Sequence, residues 1–253
     1  MERAGAILNR VEILRASDGI MVARGDLAIE VGNAAVPALQ KRMIKLAREM
    51  DKTVITATHM MESMINNPVP TRAEVSDVAN AVLDGTDAVM TSAETAAGKY
   101  PLETVVEMAS ICLAAEDAEE VALDADFSGK TFARIDQSIA MGALFTAYHL
   151  GAKAIVAMTD SGSTALWMSR HRIQIPIYAL TPKVATQRKM TLYRNVHPLL
   201  MDTSADRDTA LTQAEMHLKA RGIVQAGDIY AITCGEPMGS PGGSNMLKIC
   251  RVE

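Results

Sequence analysis

Short apolar runs separated by stretches of helical periodicity dominate the first half of the chain, and this alternation is what most restricts its fold. The runs are Ile20–Ala23, Thr53–Ala57 and Asp87–Thr91, each followed by small polar residues and then by apolar positions at helical spacing. A strand followed by a helix returns the chain to the same sheet edge in parallel, whereas a short hairpin forces antiparallel pairing. The pattern therefore predicts three βα units and a parallel sheet. The expected helices cover 3–16, with Ile7, Leu8, Val11 and Leu14 on one face, then 36–50, 72–84 and 101–118. Pro37 falls in the first turn of the second helix, where a missing N–H costs little. Gly85 follows the third, and Tyr100-Pro101 opens the fourth.

After residue 118 the periodicity lapses. Ala122–Thr131 is small and acidic and reads as a linker. The expected organisation is thus a first domain over 1–118, a linker over 119–132 and a second domain over 133–253. The second domain alternates again. Helix 136–149 leads to strand Ala154–Met158, then to the loop Thr159-Asp160-Ser161-Gly162-Ser163-Thr164 and a helix reaching Arg170. Strand Ile175–Leu180, a helix near 184–191, strand Val196–Met201, a helix near 206–220, and strands Asp228–Thr233 and Met246–Val252 complete it. An open sheet with helices on both faces is the expected form.

Composition narrows the function classes. Hydrophobic residues make up 49% of the chain and charged residues 22%, so it can bury a core. Aromatics are only 4%, too few for a single-strand stacking platform, and the formal charge of −5 comes without a basic block. Neither a nucleic-acid surface nor an anionic membrane is expected as a partner. Cys112, Cys234 and Cys250 lack CxxC spacing, which fits a reducing cytoplasm rather than a disulfide framework. No apolar run has the length of a membrane span, and the opening MERAGAILNRVEILRAS is amphipathic rather than a signal peptide.

The polar residues just past each expected strand end carry the chemistry, because α/β barrels assemble their sites there. Arg24-Gly25-Asp26 follows the first strand, Thr58-His59 the second, and Ser92-Ala93-Glu94 the third. Each has a bland reading: a turn with a solvated aspartate, a hydrogen-bonded histidine, methionines used for packing. Facing one pocket, they acquire a sharper one. Glu2 is expected beside Asp26 at the neighbouring strand end, and two such carboxylates suit a hard divalent cation. The Thr58 hydroxyl and the N–H groups near Gly25 and Asp26 suit an anionic oxygen. In the second domain, Thr159–Thr164 reads either as ordinary Ser/Thr capping or as a phosphate loop. The segment from Gly235 to Asn245, with Gly239 and Gly242, reads as a flexible hairpin or an effector loop.

MVARGDL, ITATHMMESMI, NPVPTRAEVSDVANAVLDGTDAVM and SAETAAGKYPLE, in this order, resemble the successive signatures of the pyruvate kinase family. SGSTAL, LYRNVHP and AGDIYAIT resemble its C-terminal domain more loosely. The resemblance implies the last three βα units of a TIM-type (β/α)8 barrel followed by an open α/β regulatory domain. It also implies phosphoryl transfer from phosphoenolpyruvate to ADP, giving pyruvate and ATP in glycolysis, with Mg²⁺ or Mn²⁺ and K⁺, in a cytoplasmic homo-tetramer. By the same resemblance Glu2 and Asp26 are metal ligands. Ala23, Arg24, Gly25, Asp26 and Thr58 then bind substrate, and Thr58, Ser92 and Glu94 have catalytic roles, the last two near the proton route. Thr159, Asp160, Ser161, Gly162, Ser163, Thr164, Gly239 and Gly242 would hold a sugar-phosphate or nucleotide effector.

Departures from the pattern also matter. The family's Lys stands two residues before the position of Glu2, and the first five barrel strands and the lid domain have no counterpart here. His59 replaces a usual Gln, Ala28 a usual Gly and Gly5 a usual polar residue, and Ser163 stands where some relatives carry Arg. The chain alone is therefore expected to be catalytically incomplete. The alternatives are a module that senses phosphorylated metabolites, or one that assembles with full-length subunits.

Overall fold

The computed structural model describes residues 1–118, 123, 131–202, 206–237 and 243–253. The chain divides into two compact units, 1–119 and 120–253. The expected linker falls outside the described residues except for Leu123, Thr131 and Phe132. Gly239 and Gly242 fall outside them as well.

In the first unit, strands β1 (Gly19–Ala23), β2 (Thr53–Ala57) and β3 (Ala88–Met90) form a parallel sheet in that order. The helical face expected over 3–16 is present, but Asn9 breaks it into α1 (Ala4–Leu8) and α2 (Arg10–Ala16). Helix α3 (Arg24–Val31) begins directly after β1, where a turn is expected from the sequence. Helix α4 (Val36–Glu49) buries Met43, Ile44 and Ala47 against the sheet and leaves Lys41, Arg42 and Lys45 in solvent. That is the division its 3.6-residue period dictates. Leu14, Val22, Leu27 and Val54 complete this part of the core.

Helix α5 (Arg72–Leu83) starts with a capping box. The Thr71 hydroxyl accepts from the Glu74 amide, and the Glu74 carboxylate accepts from the Thr71 amide. Glu74 also takes the Ser63 amide at 2.7 Å and the Ser63 hydroxyl at 2.5 Å. Partial burial alone would raise its pKa, but the bonds from Ser63 and Thr71 outweigh that and hold it below the ordinary glutamate value. Short helix α6 (Ala93–Ala96) and long helix α7 (Pro101–Asp117) follow, and α5 packs on α7. Beneath them lie Met60, Met61, Met64, Val78 and Ala81, all fully buried. Methionine's flexible thioether lets three of them fill the irregular space left by a turn and a 3-10 segment (Glu62–Ile65).

The second unit contains helix α8 (Ile135–His149), β4 (Ala154–Met158), α9 (Ser163–Ser169), β5 (Ile177–Thr181), α10 (Val184–Met190), β6 (Val196–Leu200), α11 (Arg207–Ala220), β7 (Ile229–Gly235) and β8 (Ser244–Arg251). The sheet order is β6-β5-β4-β7-β8, parallel except that β8 runs antiparallel to β7. Central β4 is buried along its whole length. Ile155 and Ala157 join one apolar cluster with α8 and α9, while Ala154, Val156 and Met158 join another with α11. Both faces are covered, as the strand–helix alternation requires. Among the described residues, no helix is long and apolar enough to cross a membrane.

In α11 the His217 Nε2 is buried without a hydrogen-bond partner among the described residues. Burial first, and then the Arg221 charge, push its pKa below the ordinary 6.5. The unfolded chain therefore takes up this proton at a higher pH than the folded one. Stability is retained above about pH 6.5 and falls as pH drops through the folded value. Urea midpoints measured from pH 7.5 to 5 should show this decline, and His217→Gln should make it shallower.

Candidate functional site

In-register pairing sets Ala23 opposite Ala57 and Ala57 opposite Met90, so the chain leaves all three strands at one level. After β2 it turns sharply. Thr58 has φ 68° and His59 φ 52°, two consecutive non-glycine residues in the left-handed region. For a β-branched threonine this conformation costs about 1–2 kcal/mol and persists only where surrounding bonds enforce it.

Those bonds come from the residues after β1. Ala23 cannot cap α3 with its side chain, which leaves amides in the helix's first turn without intrahelical acceptors. The Thr58 Oγ1 accepts from the Gly25 amide at 2.8 Å and donates to the Ala57 carbonyl at 2.6 Å. A threonine on the next strand thus performs the work of an N-cap. A Cβ at Gly25 would stand 3.0 Å from His59 Cε1, so the exposed imidazole would have to give way to any larger residue. Arg24, only 7% exposed, turns inward. Its Nε and Nη2 donate to the Thr58 carbonyl at 3.1 and 2.7 Å, Nη2 also to the His59 carbonyl at 2.9 Å, and Nη1 to Asp77 at 2.5 Å.

Gly25, Asp26, Ala28, Ile29, Asn33, Thr58 and His59 line an open pocket of about 540 Å³. Asp26 is exposed in the first turn of α3, where an N-terminal helix dipole meets its charge. Of the expected site residues, Gly25, Asp26 and Thr58 thus come together, while Ala23 and Arg24 are buried beside them. Glu2 lines a second depression of about 670 Å³ with Met1, Arg3, Gly5, Ala6, Asn9, Ile13 and Glu30. Glu30 is one helical turn from Asp26, so the two depressions adjoin along α3. The Met1 nitrogen donates to the Met21 carbonyl at 2.7 Å and holds this segment beside β1. Among the described residues, no three His, Cys, Asp or Glu side chains group as a metal cluster. Glu2 and Asp26, expected side by side, thus line different depressions, and Glu2 shares its own with Glu30.

At the third strand end Ser92 is exposed and Glu94 is 3% exposed. Both Glu94 oxygens are engaged by backbone, Oε1 by the Met61 amide at 3.2 Å and Oε2 by the Ser92 amide at 2.6 Å. It ties the end of β3 to the segment after β2.

In the second unit, the Thr159 hydroxyl accepts from the Gly162 amide at 3.0 Å, and the Ser161 and Ser163 hydroxyls lie 3.0 Å apart. Asp160 pairs with Lys183 at 2.9 Å, and its carbonyl accepts from Thr186 at 2.8 Å. Gly162 has φ 82°, and a Cβ there would meet Met190 at 3.0 Å. Thr164 bonds Ser244 of β8 at 2.9 Å.

A family model described as "Pyruvate kinase, barrel domain" matches residues 1–105, and one described as "Pyruvate kinase, alpha/beta domain" matches residues 137–250. The chain belongs to the pyruvate kinase family. It is 46% identical over 256 residues to a pyruvate kinase of Buchnera aphidicola from Acyrthosiphon pisum, covering 100% of this chain and 53% of the relative. It is 46% identical over 257 residues to pyruvate kinase II of Salmonella typhimurium, covering 100% and 54%. A crystal structure of a pyruvate kinase from Cryptosporidium parvum matches with a TM-score of 0.92 at 34% identity, covering 100% of this chain and 50% of that one. The chain spans about half the length of the curated relatives it matches. A barrel-domain portion followed by the family's α/β domain accounts for both sheets.

Sequence reasoning missed Glu74 and Asp77 as supports of the pyruvate kinase strand-end loops. The T-x-x-E spacing of Thr71 and Glu74 was a visible capping signal, whereas nothing local marks Asp77 as the partner of Arg24. Replacing Glu94 by Gln presents an NH₂ group to either the buried Met61 amide or the half-buried Ser92 amide. It should cost about 1–3 kcal/mol in chemical denaturation, and the Met61 and Ser92 amides should lose exchange protection first.

Proposed function

We propose that the first unit carries part of the phosphoenolpyruvate site of a pyruvate kinase that transfers the phosphoryl group to ADP. The observation that carries this reading is the strained Thr58, held with its hydroxyl on the Gly25 amide at the rim of a pocket that also contains Asp26. Strain of this kind concentrates at functional sites. The Asp26 amide at the start of α3, and the Thr58 hydroxyl once its proton turns from the Ala57 carbonyl to the ligand, are suited to the substrate carboxylate.

Glu2 and Asp26 would hold Mg²⁺ or Mn²⁺, whose chemistry is to neutralise charge on the substrate oxygens. No residue of this chain is assigned to K⁺. Arg24 and Ala23 act from beneath, shaping the pocket floor. Glu94 fixes the Ser92 backbone near the route of the proton. The loop Thr159–Thr164 is suited to a sugar-phosphate or nucleotide effector, in a cytoplasmic tetramer. Among the described residues, no Lys or Arg lines the pocket to meet a transferring phosphoryl group, so the chain alone should bind substrate without turning it over.

Calorimetric titration of phosphoenolpyruvate should show Mg²⁺-dependent binding that EDTA abolishes and that Asp26→Asn weakens at least tenfold. In a coupled assay with ADP the chain alone should form no pyruvate. Phosphoenolpyruvate failing to bind the wild-type chain would overturn the reading. Thr58→Gly relieves about 1–2 kcal/mol of strain, and loses a hydrogen bond and unfolded-state restriction worth about 1 kcal/mol each. Its melting temperature should stay close to wild type while substrate binding is lost.

A further inference from the structure

We propose that Asp77 is a positioning residue which, through the buried Arg24 guanidinium, locks the Thr58–His59 turn in the form that places the Thr58 hydroxyl on the Gly25 amide. The inference rests on reading that turn as part of an anion site, and it adds a residue on α5 that does not line the pocket.

The reasoning starts from a charge. A guanidinium that is 7% exposed must be paired and hydrogen-bonded, or its desolvation is uncompensated. Arg24 meets this with two opposite sets of partners. One side of its planar fork donates to the carbonyls of Thr58 and His59, and Nη1 donates to the Asp77 carboxylate, whose side chain is 40% exposed.

Two consecutive carbonyls offered to one cation are not what a strand provides, since successive strand carbonyls point to opposite sides. They converge here because both residues are left-handed, at φ 68° and 52°. The bonds to Arg24 are therefore specific to the strained conformer, and an extended 58–59 segment would forfeit one of them. Asp77 sets the strength of the device. It fixes the fork's orientation from the far side and offsets the charge that would otherwise draw the guanidinium toward water. Released, Thr58 relaxes toward φ < 0, its hydroxyl leaves the Gly25 amide, and the first turn of α3 loses its cap.

Amide NMR of the ligand-free chain tests this directly. The Gly25 amide has Thr58 Oγ1 as its acceptor, so its shift and exchange rate report the turn. Ladder amides of β1 and β2 serve as internal reference. In Asp77→Asn the Gly25 signal should move and its exchange accelerate at least tenfold, with ladder amides within twofold of wild type. Asp77→Glu, which restores the charge, should recover most of the effect.

An unmoved Gly25 signal in Asp77→Asn would overturn the proposal. So would a uniform loss of protection across α5 and the ladder, which marks a merely structural role. If Asp77→Asn does not fold, Arg24→Lys keeps the charge but cannot fork between two carbonyls and a carboxylate, and the same Gly25 signal decides. Titration with phosphoenolpyruvate and Mg²⁺ should then give about tenfold weaker binding in Asp77→Asn. Wild-type chain that binds no phosphoenolpyruvate would sink the reading of the site, while the ligand-free signals still decide the role of Asp77.

Discussion

Parallel pairing of β1 with β2, without a slip, is the constraint on which the first unit's site depends. It sets Ala23 level with Ala57, so that the backbone leaving one strand must satisfy the backbone leaving the other. An uncapped helix start after β1 and a strained turn after β2 each lack partners alone. Together they complete one another: Thr58 serves as the missing cap, and Arg24 engages the carbonyls that the turn exposes. A one-residue slip would turn every side chain of one strand to the opposite face and separate these groups. Glu94 extends the arrangement to β3 by gathering amides from two loops onto one carboxylate.

The second unit meets the same requirement with a different device. Its three inner strands, β5, β4 and β7, are buried from both sides, and the hydroxyl-rich loop after β4 is fixed from three directions. Asp160 reaches Lys183 and Thr186, Thr164 reaches Ser244, and Gly162 lies against Met190. A loop so anchored presents its Ser161 and Ser163 hydroxyls in a defined arrangement rather than sampling many. That lowers the ordering cost for any anion it receives.

Much of this was readable in the sequence because it follows from periodicity. Strands at Ile20–Ala23 and Thr53–Ala57 appear within a residue of their expected limits, and α4 starts around Pro37 as its fixed φ favours. Local patterns failed where long-range partners decide. Arg24-Gly25-Asp26 has the composition of a turn, yet α3 begins there because Thr58, thirty-three residues beyond Gly25, caps it. Asn9 breaks a continuous apolar stripe, and the 3.6-residue period has no means of registering such a break. The antiparallel β8, by contrast, agrees with the hairpin reading of the helix-free segment between the last two strands. Strand-end logic identified Gly25, Asp26 and Thr58 correctly as neighbours, since barrel geometry makes successive loops converge. It could not separate the outward Asp26 from the inward Arg24, because that choice rests on Asp77 and two carbonyls of another loop.

The left-handed threonine has an evolutionary corollary. Where a β-branched residue sits at φ 68°, the strain relieved and the hydrogen bond lost on replacement nearly cancel, so stability is one weak pressure on the position and any use of its hydroxyl a second, stronger one. A lineage relieved of the second pressure would drift first at position 58, toward glycine or asparagine, while its surrounding core changed little. The identity of that one residue across related genomes would then serve as a historical record of whether each descendant still used that hydroxyl.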